Sequence, residues 1–183
     1  MNETRAATDT RACAPLSTEL REMVVPPTKP PSLFTPTEWR VVEYLVRGLT
    51  PVEIAAELKR SIITTHRHLR YLRYKTHCPT RCPLPVLVHR LLTSFQATAP
   101  ATDLPVPDLD PDEVRLLRAL AEESTPVGRA TATGLSPAAA ASALNALLGK
   151  TGAANATQLV ALAHSWKLLP NKQDRTERNG AAQ

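Results

Sequence analysis

Between Ile62 and Thr76 the chain carries Arg67, Arg70, Arg73 and Lys75, flanked by His66 and His68, and no acid. Groups of this kind hold negative charge. A helix kept polar only for solubility usually mixes both signs, whereas one sign along one helix suits a polyanion. On a helical wheel Ile62, Thr65, Leu69, Leu72 and Thr76 share one stripe, while Arg67, Arg70, Tyr71 and Tyr74 lie opposite or beside it. Duplex DNA rewards such cations through counterion release. Its major groove admits one α-helix, and an arginine there can make a bidentate pair with guanine.

Other chemistries lack their residues. The chain shows no paired carboxylates, Gly-rich phosphate loop or nucleophile triad, so we expect no enzyme and no cofactor. Cys13 stands alone; Cys78 and Cys82 are four apart in a proline-rich loop, with His77 and His89 nearby. Without a second Cys-x-x-Cys pair they read as free thiols of a reducing compartment rather than metal ligands. Two facts agree with a cytoplasmic, nucleoid-associated protein without a membrane partner. No apolar run approaches the ~20 residues of a membrane span, and Met1–Pro15 lacks the apolar core of a signal peptide.

The 183 residues carry a net charge of +5, unevenly spread. Residues 34–92 hold ten Lys/Arg against four Asp/Glu, and residues 109–169 hold five of each. Six glycines, abundant alanine and no sustained polar–apolar alternation favour helices over strands. Residues 1–33 read as a disordered or extended segment, with a short helix over Ser17–Val25 and a polyproline-like spacer after it. Residues 97–108, with Pro100, Pro105 and Pro107, read as a linker, and 170–183 as a frayed tail.

Helix punctuation divides the rest. Thr35-Pro36-Thr37-Glu38, Thr50-Pro51-Val52-Glu53 and Asp110-Pro111-Asp112-Glu113 each combine an N-cap, a proline at the first helical position and a glutamate three residues after the cap. Thr125-Pro126 and Ser136-Pro137 keep the cap and the proline, and Gly48 stands where a left-handed residue would end a helix. The expected helices are 36–47, 51–58, 62–76 and 84–95, then 111–122, 126–132, 137–149 and 156–168. Gly128, Thr131 and Thr133 weigh against the sixth.

These two sets of four are one pattern used twice. Shifted by 75 positions, residues 34–92 and 109–167 align without gaps and agree at about a quarter of positions, mostly at helix starts and core sites. Ser61 meets Ser136, Leu69 and Leu72 meet Leu144 and Leu147, and Lys75-Thr76 meets Lys150-Thr151. The counterpart of the cationic helix, however, is alanine-rich and has no cation before Lys150. Such a surface has little to read bases or hold phosphate with.

The first block resembles the LuxR-type (GerE-like) helix-turn-helix of bacterial transcriptional regulators over nearly all of 34–92. The resemblance is carried by Phe34-Thr35-Pro36-Thr37-Glu38, by Gly48-Leu49-Thr50 with Glu53-Ile54-Ala55-Ala56-Glu57-Leu58, by Ser61, Thr64, His68 and Lys75, and by Thr80-Arg81. Lys59 departs from it where a glycine is usual, as do Thr65 (usually valine) and His66 (usually lysine). The second block resembles a degenerate copy, with Lys150-Thr151-Gly152-Ala153 and Thr157–Ala163 similar to the end of such a domain.

The fold expected is thus all-α: two tandem four-helix LuxR-type units, 34–96 and 109–169, joined by a proline-rich linker. The resemblance implies double-stranded DNA as partner, with His66, Arg67 and Arg70 reading bases. Thr50, Ser61, Thr64, His68, Tyr71, Arg73 and Lys75 would meet the backbone. Such units normally pair through their fourth helices, and here Leu159, Leu162 and Trp166 give the last helix an apolar face wider than one small core needs. That face is expected to meet the same helix of a second chain in a homodimer; the alternative is the helix of Leu84, Leu87, Leu91 and Leu92 in the same chain. RNA polymerase or another regulator would be further partners. Two other functions fit the same residues: an adaptor built of degenerate helical repeats, and a non-specific nucleoid-binding protein.

Overall fold

The computed structural model describes residues 34–79, 81–94 and 97–170, which belong to one compact unit. The expected helix over Ser17–Val25, Thr80 and the tail after Pro170 lie outside the described residues. Eight helices follow in order: α1 Pro36–Val46, α2 Pro51–Glu57, α3 Ile62–Lys75, α4 Leu84–Thr93, α5 Pro111–Glu122, α6 Pro126–Thr133, α7 Pro137–Thr151 and α8 Ala156–Ser165. No strand occurs among the described residues, so the fold is all-α.

The helices start where cap and proline coincide. Thr35, Thr50 and Asp110 each close a full capping box, and Ser61, Thr125 and Ser136 each accept from the backbone N–H three residues on. Even α6 forms. Its Thr131 and Thr133 hydroxyls donate back to the carbonyls of Val127 and Arg129, so neither competes with the helix from outside.

The two blocks share an internal plan. In each, the first helix packs on the second, third and fourth, and the second packs on the third. Left-handed residues recur at the 75-residue spacing: Lys59 (φ 51°) with Gly134 (φ 70°), and His77 (φ 53°) with Gly152 (φ 68°). The Lys75 ammonium lies 2.6 Å from Glu38, and that of Lys150 lies 2.6 Å from Glu113, another pair related by 75.

The two blocks pack on each other. Buried side chains of both blocks join in a single hydrophobic cluster. Helix α4 lies against α8, flanked by α1 against α8 and α4 against α5, which exchange under the same 75-residue shift. His89 Nδ1 and His164 Nε2 are 2.9 Å apart at the centre of this seam. A residue that meets its own equivalent marks a two-fold axis, so the chain is a pseudo-dimer of its own two halves. Leu159, Leu162 and Trp166 are buried here, within one chain.

Two polar anchors fix the seam. Asn155 Nδ2 donates to the Gly48 carbonyl at 2.7 Å, tying the turn after α1 to the start of α8. The linker is no free spacer either: Ser165 Oγ donates to the Pro100 carbonyl (2.6 Å) and Trp166 Nε1 to that of Leu104 (3.2 Å).

Gly48 has no room for a side chain. Its φ is +89°, and an added Cβ would fall 2.4 Å from Cβ of Gln158 on α8. Gly48→Ala therefore combines backbone strain with a clash that only movement of α8 relieves. It should cost about 2–4 kcal/mol in urea unfolding; a loss below the error of that measurement would show that the turn and α8 do not meet this closely.

Burial holds both imidazoles neutral at ordinary pH. Desolvation, aided by the Arg90 guanidinium, pushes His89 down to about 4. Desolvation, aided by His89, does the same to His164. An unfolded histidine keeps its ordinary value of 6.5, so as pH falls the unfolded chain takes up protons first. Stability from this pair is full above that value and declines as pH drops towards 4. Replacing both by Leu removes donor and acceptor together, which is nearly neutral at pH 7. The double variant should lose most of the wild-type slope of urea midpoint against pH between 6.5 and 5; an unchanged slope would assign it to other groups.

Candidate nucleic-acid interface

Helix α3 sits on α2 and α1 through Thr65, Leu69, Leu72 and Thr76, all buried. Ile62, expected on the same stripe, is instead 37% exposed, because it stands at the open first turn. The opposite face is free. His66, Arg67, Arg70 and Tyr71 are exposed along it, and Tyr74 is 80% exposed at its far end. The Arg70 guanidinium carbon lies 5.8 Å from the centre of the Tyr71 ring, a stacking that leaves the guanidinium edge open to planar acceptors. The three side chains expected to read bases thus lie on one exposed face.

The start of α3 is cationic by construction. Ser61 Oγ accepts from the Thr64 N–H (3.2 Å) and shares a hydrogen bond with the Thr64 hydroxyl (2.9 Å). No acid stands in the first turn, so the helix dipole there is not neutralised by a carboxylate.

Other expected backbone contacts are occupied within the chain. Glu53 Oε2 accepts from the Thr50 N–H (2.7 Å) and hydroxyl (2.8 Å). These bonds hold the Glu53 carboxyl below the ordinary carboxylate range, so the start of α2 already carries an anion. Thr50 is the N-cap of α2. Arg73 is half-buried, and its Nε donates to the Cys82 carbonyl at 2.8 Å. His68 is half-buried, with Nδ1 enclosed and without a partner among the described residues.

Lys75 is likewise turned inward. Its partner Glu38 is 5% exposed, and the same carboxylate accepts from the Thr35 N–H. Burial raises the Glu38 carboxyl, but the Lys75 and Thr35 hydrogen bonds outweigh it and leave the group below its ordinary value. The second block keeps this pair as Lys150–Glu113 while lacking the arginines of α3. Lys75 is therefore placed by the fold, whereas Arg67 and Arg70 have no counterpart in it. The α7 face that corresponds to theirs exposes Ala138, Ala139, Ala141, Ser142 and Asn145.

One side-chain pair escaped the reading of the residues, and another, singled out as two free thiols, proves to be in contact. His89 and His164 are identical partners under the 75-residue shift, and that identity was the signal available. Cys78 and Cys82 lie with their sulfurs 3.0 Å apart in the loop between α3 and α4. No group of three His, Cys, Asp or Glu among the described residues is placed to hold a metal ion, and no helix among them is long and apolar enough to cross a membrane. No family model, curated protein or solved structure matches the chain.

Lys75→Ala would leave the Glu38 carboxylate enclosed without its cation. The expected loss is about 1–3 kcal/mol of folding stability. Lys150→Ala should cost less, because the Lys150–Glu113 pair is more exposed. Equal losses in urea unfolding would remove the distinction between the two pairs.

Proposed function

We propose that the chain is a sequence-specific DNA-binding regulator of transcription, of the LuxR type, that reads one major groove with α3. One observation carries this reading. An acid-free helix exposes His66, Arg67, Arg70 and Tyr71 on the face opposite its buried stripe, and its first turn bears no carboxylate. That face suits phosphate attraction and base-edge contact together. Arg67 and Arg70 are the base readers, with His66 beside them. Ser61, Thr64 and Tyr71 are exposed or half-exposed backbone contacts at the start and on the free face of α3, and Arg73 reaches the backbone only with the nitrogens not spent on Cys82.

The second repeat supplies the partner that such a unit normally finds in another chain. Its fourth helix fills the seam against α4, and its α7 presents alanines where α3 presents arginines. One chain then has one reading head. Wild-type protein should run as a monomer near its chain mass of 19.9 kDa in light scattering and protect a single half-site; a homodimer with two protected half-sites would contradict the one-headed reading.

The reading itself is tested with sites selected from random duplexes. Arg67→Ala or Arg70→Ala should each weaken the selected site by about 1–3 kcal/mol and relax preference at one or two base pairs. Binding that competitor DNA abolishes in wild type would favour a nucleoid protein, and no duplex binding at low salt would favour an adaptor.

A further inference from the structure

The loop between α3 and α4 holds two thiols in an unusual setting. Cys78 and Cys82 are both reduced, with sulfurs 3.0 Å apart. The backbone fixes both ends: the Cys78 N–H donates to the Arg73 carbonyl (2.8 Å), and the Cys82 N–H to the Pro79 carbonyl (2.9 Å). A disulfide would need the sulfurs to close by about 1 Å. Neither sulfur is a metal ligand among the described residues.

The two thiols are not equivalent. Cys78 is 8% exposed and Cys82 1%. Arginines stand on both sides. Arg73 Nε is bound to the Cys82 carbonyl, and Arg90 Nη1 donates to the His77 carbonyl at 3.3 Å. The Cys82 thiol hydrogen bond, with help from Arg90, Thr76 and Arg73 against the cost of burial, lowers Cys78. The Cys78 sulfur and burial push Cys82 the other way. Two buried thiols in contact, one biased towards the thiolate and the other towards the thiol, form the arrangement of a dithiol that a peroxide can convert to a disulfide.

We infer that Cys78 and Cys82 form a modification site for hydroperoxides, in which Cys78 is the attacking thiolate and Cys82 the resolving thiol. Cys78 sulfur attacks the terminal oxygen of the hydroperoxide. The S–O bond forms as the O–O bond breaks, and the alkoxide or hydroxide leaves with the proton that Cys78 gave up. The sulfenic acid at Cys78 is then attacked by the Cys82 sulfur. The S–S bond forms, the S–O bond breaks, and the departing hydroxide takes the Cys82 proton as water. Two thiols and one hydroperoxide become one disulfide, one alcohol (or water) and one water. The product cross-links a loop whose ends are α3 and the seam helix α4. The inference concerns thiol chemistry alone and stands whether or not α3 binds DNA.

The test uses the full chain with Cys13→Ser, which removes the third thiol. One equivalent of hydrogen peroxide at pH 7 should abolish both titratable thiols, lighten the chain by two hydrogen atoms, link the peptides of Cys78 and Cys82 within one molecule, and be reversed by dithiothreitol. Adding Cys82→Ser should leave the first step intact and accumulate a sulfenic acid that dimedone traps. Adding Cys78→Ser should slow peroxide consumption about tenfold or more. Two thiols still titrating after peroxide, cross-links between chains only, or equal rates with and without Cys78 would each overturn the assignment.

Discussion

The seam between α4 and α8 is the contact on which the rest of the molecule rests. Each block of about 60 residues has only a small core, and domains of that size are marginal alone. Here Val86, Leu87 and Leu91 from one half and Leu159, Leu162 and Trp166 from the other lie in one buried cluster. Two neutral imidazoles meet on the pseudo-axis, where one N–H can donate to the other ring's lone pair. The Asn155 anchor and the linker bonds then fix the turn after α1 and the crossing chain to the same helix. What α3 exposes depends on this arrangement, because its support, α1, is itself packed on α8.

Because the fold occurs twice in one chain, one half serves as a control for the other. Side chains present at both positions, such as the Glu38–Lys75 and Glu113–Lys150 pairs and the Ser61 and Ser136 caps, answer to the fold. Side chains present once answer to something else. Arg67, Arg70 and Tyr71 face Ser142, Asn145 and Ala146 under the shift, so the architecture does not require them. That comparison separates the cations of α3 more sharply than the helical wheel, which places Lys75 and Arg70 in one cationic group.

Most of the fold was legible in the residues because its signals are local. A cap, a proline and a glutamate specify a helix start within four positions, and every such start was realised. The exposed face of α3 was legible for the same reason, since a buried stripe fixes what lies opposite it. Partners distant in sequence were not. An apolar face on α8 says that something covers it but not what, and the proline count of the linker gives reach without direction. Likewise, the charge of Lys75 is plain in the sequence, while its burial against Glu38 depends on residues 37 positions away.

The left-handed turns on either side of α3 and α7 have a further consequence. The architecture demands a positive φ just before and just after the third helix of each half. The neutral half meets that demand with Gly134 and Gly152, and the cationic half with Lys59 and His77. A side chain in that region is strained by about 1 kcal/mol or more, so the backbone on either side of α3 is less at ease than the backbone on either side of α7. The third helix of one half is thus flanked by glycines that take up this backbone freely, and that of the other by side chains that do not. Local opening of the chain should begin at the edges of α3, where this backbone strain lies, and end at the seam.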